Sequence, residues 1–453
     1  MENTETFVET AMKLLGAHPE LSSLRVAICD FNGCLRGKRL PIAQAKKALM
    51  GGVRMPGSLA AQDIWGRDVE TNTMVSDGDG DNLCQPTGRG PLLMDWLAEP
   101  TALLPLWFFN TDGSPILIDP RQALAAVVER YKEKGLTPVV ATELEFYLLD
   151  GDAAEPSPPP SPITGKPLHA DGVLSMDDVD HFDAFLADVY RACEIQDIPV
   201  DTAISEGGPG QFELNIEHVA DPLKAADDAM LFKRLVKGVA RKHGLAASFM
   251  AKPYAEASGN GFHMHFSLLD ADGNNVFDDG TEAGSDIMRH AVAGLLDAMV
   301  PSTLIFAPHL NSYRRLQPGS HAPTGVCWAY ENRLAPIRIP GGPPVARRIE
   351  HRVSGADANP YLVVAAVLGA ALAGIEAAIM PPPPITGNAY DTDAPELPNS
   401  FGRAIDAFRE DSLLSGVFSE DFLTLFADCK AQEYDRFTAQ MSEFEITSYL
   451  EVV

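Results

Sequence analysis

Four short segments constrain this chain more than anything else in it, because each sets acidic or imidazole side chains where a strand or tight turn would aim them together. TELEF (142–146) places Glu143 and Glu145 two residues apart, hence on one face of a strand. HMH, within SGNGFHMHFSL (258–268), does the same for His263 and His265. SEGGPGQFELN (205–215) sets Glu206 and Glu213 on either side of a glycine turn that could point both at one place, and RRIEHR carries Glu350 among Arg347, Arg348 and Arg352. Singly each is ordinary: a solvated strand edge, one structural and one exposed histidine, a turn. Together they supply five carboxylates and a histidine, which would repel one another and destabilise the fold unless cations lie between them. Around two divalent ions the set becomes sensible. Its oxygen-rich ligation suits Mg²⁺ or Mn²⁺, with one imidazole tolerated, and the arginines are left for anionic substrate groups or a phosphoryl group in transfer.

The rest of the chain is consistent with a large soluble enzyme. Its 453 residues allow two or three domains, and 63 acidic against 35 basic residues give a formal charge of -28. That balance repels nucleic acid and anionic membrane surfaces, so neither is expected as a partner. Six scattered cysteines without CxxC spacing read as reduced thiols in a cytoplasmic protein, and the N-terminal MENTETFVETAMKLLG reads as an acidic amphipathic helix and not a secretory leader. The apolar run from Tyr361 to Ile375 stops at Glu376, short of a span; with Asn359 as N-cap and Pro360 at the first helical position, it reads as a buried helix. SDGDGDN (76–82) lacks the last glutamate of a calcium loop and reads as a solvated turn; DADGNN (270–275) signals a hairpin. Strands and helices mix without a βαβ rhythm, and neither standard phosphate loop is present, so an α+β fold is expected rather than a doubly wound sheet. A small α+β domain over 1–115 and a larger one over 116–453 are the expected divisions.

In order along the chain, TELEF, EGGPGQFE, GNGFHMHFSL, NSYRRLQPG, ENRLAPIRIP, ARRIEHR and GADANPYL resemble the glutamine synthetase family. The resemblance covers nearly the whole chain and is strongest beyond residue 115. It implies a β-grasp-like N-terminal domain, and a catalytic domain with a curved antiparallel sheet flanked by helices. It implies an ATP-dependent ligase that phosphorylates the γ-carboxylate of glutamate before an amine attacks, with two or more Mg²⁺ or Mn²⁺ ions per site. It also implies a homo-oligomer, a dodecamer of two hexameric rings. Carried over by motif, Glu145, Glu206 and Glu213 hold the first metal, and Glu143, His263 and Glu350 the second. His265 and Ser267 fall on the nucleotide side. Arg333 and Arg348 match phosphate-binding arginines, Arg315 and Arg352 match groups holding glutamate and the acyl phosphate, and Gly259 matches a backbone contact to substrate.

Two departures bear on the amine. Where ammonia-using members carry a glutamate after RLxPG, this chain reads RLQPGSHAP, with His321 in its place; where they carry an aspartate before Gly-Ser, RMPGSLAAQDIWG offers Pro56. A pocket lined by Pro56, Leu59 and His321 is roomier and less anionic, and each methylene it buries favours an organic amine by about 0.8 kcal/mol. His321 could take the amine's proton, since imidazoles exchange protons near neutrality. Asp63, Asp68 and Glu70 lie near enough in sequence to meet the far end of a polyamine. GSHAPTGVCWAYENR and PGGPPVARRIEHRVSGADANPY resemble the γ-glutamylpolyamine and γ-glutamylamide synthetases, which open amine catabolism, more than the nitrogen-assimilating enzymes. The stretch 381–398 is expected to lack the tyrosine-bearing loop that some bacterial members modify. The alternatives are an ordinary ammonia-using glutamine synthetase and a non-catalytic ring protein of the same fold.

Overall fold

The computed structural model describes residues 2–168 and 172–453. Two sheets carry the architecture. The first holds β1 (Ser23–Cys29), β2 (Leu35–Pro41), β3 (Val53–Pro56), β4 (Asp81–Pro86), β5 (Leu92–Leu93) and β6 (Thr101–Phe109), in the order β2-β1-β6-β4-β3 with β5 also on β6. Its central pair, β1 and β6, is parallel and the other pairs are antiparallel. The second holds β7 (Thr137–Asp150), β8 (Val200–Ser205), β9 (Gln211–Val219), β10 (Leu245–Ser248), β11 (Phe262–Leu269), β12 (Trp328–Tyr330), β13 (Ile337–Ile339) and β14 (Ile349–His351). Its order is β12-β13-β14-β11-β7-β9-β8, with β10 on β7. The fold is α+β, as expected, but this sheet is mixed rather than wholly antiparallel, because β12 runs parallel to β13. The reversal between those strands is too short to be visible in residue pattern.

Three long helices that back the sheets begin the same way. Asp119, Asp221 and Asn359 each accept a backbone N–H from the first turn, and a proline follows each at the first helical position of Pro120–Glu133, Pro222–Lys242 and Pro360–Ala377. Asp119 also accepts the Phe108 N–H, joining the end of β6 to its helix; burial pushes its carboxyl up to about 6 despite these bonds. Asn359 donates back to the Asp30 carbonyl and so ties the end of β1 to the start of its helix. Pro360–Ala377 is long and apolar enough to cross a membrane, yet 78% of it is buried within the protein. It packs on the helix Asp286–Asp297, where a side-chain carbon on Gly294 would stand 2.2 Å from the Ala370 carbonyl. That contact leaves room for glycine only.

The DADGNN turn forms around the Asp270 carboxylate, which accepts from Asp272 and Asn274, but it closes onto a single bridge between Leu269 and Asn275 and no second strand follows. The expected hairpin is therefore one bridge long. The SDGDGDN stretch ends a short helix, and Asp79 accepts the Ser58 hydroxyl there.

Candidate active site

The central strands of the second sheet bring the four segments together by register. On β7 and β11, Glu143 lies opposite His263; on β7 and β9, Glu145 lies opposite Glu213; on β11 and β14, His265 lies opposite Glu350; and on β13 and β14, Arg338 lies opposite Glu350. The glycine turn between β8 and β9 closes through Glu206 N–H to the Gln211 carbonyl, with Gly210 at a positive φ of 78°. It delivers Glu206 to the edge of the same face.

Glu143 is the hinge of the cluster. Its two carboxylate oxygens meet His263 Nδ1 at 3.2 Å and His265 Nε2 at 2.9 Å. Ligand atoms of Glu143, Glu213 and His263 lie within 4.8 Å of one another, as do those of Glu143, His265 and Glu350. The structure therefore brings Glu143, Glu213, His263 and Glu350 together but groups them differently from the two sets carried over by motif: His263 stands with Glu213, and His265 with Glu350, while Glu145 and Glu206 belong to neither close group. Glu145 accepts the Gly261 N–H at 2.7 Å. A side-chain carbon on Gly261 would lie 2.8 Å from His263 Nε2 and close to Arg315 and Glu145, so the missing Cβ keeps this corner open. Gly259 is pressed in the same way against Arg315 and the Ala251 carbonyl.

Charge is unevenly distributed across the cluster. Burial, and then Glu143, Glu145 and Glu206, push the Glu213 carboxyl up to about 10; burial and Glu145 push Glu206 up to about 7. Burial also opposes ionisation of Glu143, but hydrogen bonds from the two histidines prevail and hold it below the usual carboxylate range. Glu350 is buried too, and there Arg352 and then His265 outweigh burial and bring it down to about 2. It forms ion pairs with Arg352 and, at 2.8 Å, with Arg338. One side of the site is thus rich in carboxylates that resist ionisation unless a cation joins them, and the other is already neutralised by arginine. The donors fit a divalent hard cation: crowded carboxylates with an imidazole at the edge. Binding there displaces protons. Titration with Mg²⁺ or Mn²⁺ at pH 7.5 should release about one proton per chain, chiefly from Glu213, read as buffer-dependent heat. Carboxyls raised in the folded state favour folding below about pH 4.5 and cost stability as pH rises towards 7 and 10, so the cation should stabilise the protein more at pH 8.5 than at 6.5.

Beyond His265 opens a cleft of about 570 Å³, lined by Ser267, Arg347, Arg348 and Asn215 among others. Arg348 Nε donates to His265 Nδ1 at 3.2 Å. Arg315 and Arg352 are both buried: Arg315 Nη1 donates to the Val353 carbonyl at 2.8 Å, and Arg352 Nε to the Arg333 carbonyl at 3.0 Å. Arg333 is exposed, and its charge draws Glu206 downward.

The amine-side residues are not gathered in. His321 is exposed, at a φ of 62°, on a loop hung from Arg315 by Ser320 Oγ, which donates to the Arg315 carbonyl at 2.7 Å. Pro56 ends β3 and Leu59 packs on the core of the first sheet; neither lines the cleft. The Asp63 carboxylate is occupied by Trp65, Arg67 and Gln432, as a turn cap would be. The stretch 381–398 does hold one tyrosine: the Tyr390 hydroxyl donates to the Ala322 carbonyl at 2.9 Å and so pins the His321 loop. Sequence reasoning also missed Arg338, although a lone cation between Ile337 and Ile339 in ENRLAPIRIP was the signal.

Residues 117–449 match the family description "Glutamine synthetase, catalytic domain". The chain belongs to the glutamine synthetase family. Gamma-glutamylputrescine synthetase PuuA of Escherichia coli (strain K12) is 37% identical over 97% of this chain and 94% of its own. Glutamate–isopropylamine ligase of a Pseudomonas species is 32% identical over 96% of each chain. Glutamine synthetase of Thermus thermophilus is also 32% identical, over 94% of this chain and 95% of its own. Among solved structures, a GmaS/ADP complex superposes with a TM-score of 0.84 at 27% identity, covering 96% of this chain and 98% of that one. As a glutamine synthetase family member, the chain is a ligase that uses ATP to form a C–N bond between glutamate and an amine.

Proposed function

We propose that the acceptor is an organic amine, a polyamine or monoamine, and that the product is a γ-glutamylamide made through γ-glutamyl phosphate. The observation that carries this is the amine-side loop. Tied down by Ser320 and Tyr390, it carries His321 at the place in the sequence where the resemblance gives ammonia-using members a glutamate. The 37% identity to a gamma-glutamylputrescine synthetase supports the same reading.

The chemistry follows from the need to make a carboxylate reactive. A γ-carboxylate oxygen attacks the terminal phosphorus of ATP and ADP leaves; the amine nitrogen then attacks the acyl carbon, phosphate departs, and the amine proton passes to His321 or to solvent. Glu143, Glu145, Glu206, Glu213, His263 and Glu350 would hold Mg²⁺ or Mn²⁺, which when bound supplies Lewis-acid polarisation of phosphoryl oxygens. Arg315 and Arg352 hold the glutamate and the acyl phosphate, with Gly259 offering its backbone. Arg348 and Arg333 neutralise phosphate charge, and His265 and Ser267 face the nucleotide. His265 is also a candidate ligand, because it shares Glu143 with Glu350. We read 1–115 and 116–453 as two domains of a cytoplasmic dodecamer of two hexameric rings. In such a ring Pro56 and Leu59 would complete a neighbouring chain's pocket, which accounts for their distance from this chain's cleft. A role in amine catabolism follows from capping the nitrogen of a diffusible amine.

The test is phosphate release from ATP with glutamate and Mg²⁺, comparing ammonia with putrescine, spermidine, ethanolamine and monoamines. Turnover with an organic amine and little with ammonia is expected. Turnover with ammonia alone would make the chain a nitrogen-assimilating enzyme and overturn the pocket argument. His321→Glu should shift the ratio of ammonia to amine turnover at least about tenfold towards ammonia, since an added carboxylate favours a small cation by roughly 1.4 kcal/mol or more. An unchanged ratio would show that this loop does not choose the nucleophile.

A further inference from the structure

The helix Pro222–Lys242 carries its charges in two distinct ways. At its ends the cations are paired: Lys224 meets Asp228 at 2.8 Å and Lys242 meets Asp188 at 2.9 Å. In between, Lys233, Lys237 and Arg241 follow at four-residue intervals, with Arg234 beside them, so they share one stripe. That stripe faces Arg25 on β1 across a cavity of about 300 Å³, whose remaining wall includes Trp96. Among the described residues, none of these five cations has a carboxylate within ion-pair distance. Arg234 Nε is buried without a hydrogen-bond partner, its Nη2 reaching only the Met94 sulfur at 3.9 Å, and Lys233 Nζ, itself buried, donates to the Ala358 carbonyl at 3.0 Å and lies over the Phe249 ring. Asp357, whose charge acts on Lys233 without reaching ion-pair distance, already accepts the Ser312 hydroxyl at 2.6 Å.

Five like charges around one small cavity repel each other, and burial adds to the cost. Burial and then Lys237 pull the Lys233 ammonium down to about 8, while burial, Arg25 and Arg241 draw Arg234 downward. A chain with 63 acidic residues had ample means to pair them. Their convergence without a counter-charge is the feature to explain. Guanidinium forks and ammonium groups around a half-open cleft form the geometry that binds multivalent oxyanions. A cleft of about 300 Å³ suits a small anion, and the Trp96 indole on its wall offers an apolar surface.

We propose that this cavity, between β1 and the helix Pro222–Lys242, is a binding site for a small multiply charged oxyanion, a polycarboxylate or a phosphorylated compound, separate from the carboxylate-lined active site. Lys233, Arg234, Lys237, Arg241 and Arg25 supply the charge. The inference does not depend on which amine the enzyme uses. Occupancy relieves the repulsion along the helix and therefore stabilises the folded chain.

Thermal unfolding and calorimetric titration of the full-length protein, at fixed ionic strength, with inorganic phosphate, pyrophosphate and citrate provide the test. Saturable binding of at least one of them is expected, weakened about tenfold or more in the Arg234→Gln/Lys237→Gln double variant. The Arg348→Gln protein, altered only on the phosphate side of the active site, should keep that binding. Lys237→Gln alone, at a half-buried position, should weaken binding measurably and guards against misfolding of the double variant. No saturable response in the parent protein, or equal binding by parent and double variant, would overturn the proposal. Loss of binding in Arg348→Gln alone would also overturn it, by placing the anion in the active site. If the double variant changed the assembly state by light scattering while the parent ignored all three anions, the face would be a subunit contact and the proposal would fall.

Discussion

Replacing Glu143 with glutamine is expected to lower turnover by about three orders of magnitude or more while leaving the fold intact. Glu143 is the one side chain common to both groups of potential ligands, and its two oxygens already divide between His263 and His265. An amide keeps the shape but removes the charge and one acceptor. One histidine then faces an N–H where it had an oxygen, and both cation positions lose a ligand at once. Loss of a partner that only orients a metal ligand typically costs 10- to 100-fold, and a shared ligand multiplies two such losses to about 10³-fold. Glu206→Gln is the natural comparison. Glu206 lies at the rim, outside both close groups, and burial already opposes its ionisation, so its loss should cost only about 10- to 100-fold. Steady-state turnover over a range of Mg²⁺ and Mn²⁺ concentrations checks both. Excess cation should rescue Glu206→Gln in part and Glu143→Gln hardly at all. A Glu143→Gln enzyme within tenfold of the parent would mean that this cluster does not organise the reaction.

The ingredients of this site were legible in the sequence because strand alternation is a local property. Glu143 with Glu145, and His263 with His265, had to share a face once β7 and β11 were recognised as strands. Asn359 before Pro360 marked one helix start, and the buried helix declared itself through small apolar residues. The grouping was not legible. Whether His263 or His265 stands beside Glu350 depends on the register of strands more than eighty residues apart in the chain. A slip of one residue there would turn every side chain to the other face without altering any local pattern. Arg338 was overlooked for the same reason: only the pairing of β13 with β14 makes it a partner of Glu350. The parallel pairing of β12 and β13 and the placement of Pro56 and Leu59 against the first sheet are likewise decided by long-range packing. Tyr390 was plainly present in the sequence, but only the folded chain shows its hydroxyl reaching the Ala322 carbonyl.

Removing the Glu350 carboxylate should destabilise the protein more than any other single change at the site. Glu350 is 1% exposed, and it sits between Arg338 and Arg352 with His265 close behind. Glu350→Leu would leave two guanidinium groups facing an apolar side chain, and breaking a buried ion pair from one side costs about 3–5 kcal/mol. The pH dependence distinguishes this charge effect from lost packing. Because Glu350 is drawn down to about 2 in the folded chain, its contribution is fully present above the ordinary carboxylate range and disappears as pH falls through 2. The stability gap between the parent and Glu350→Leu, measured by denaturant unfolding of metal-free protein, should therefore be wide at pH 7 and narrow steadily below pH 4.5. Adding Arg338→Met and Arg352→Leu to the variant should recover much of the loss, since a buried ionic triad replaced throughout by apolar residues of similar volume no longer leaves any charge uncompensated. That triple variant should be well folded and inactive. If Glu350→Leu were no less stable than the parent at pH 7, the arginines would have to be finding their compensation elsewhere, and the neutralised half of the site would not exist as described.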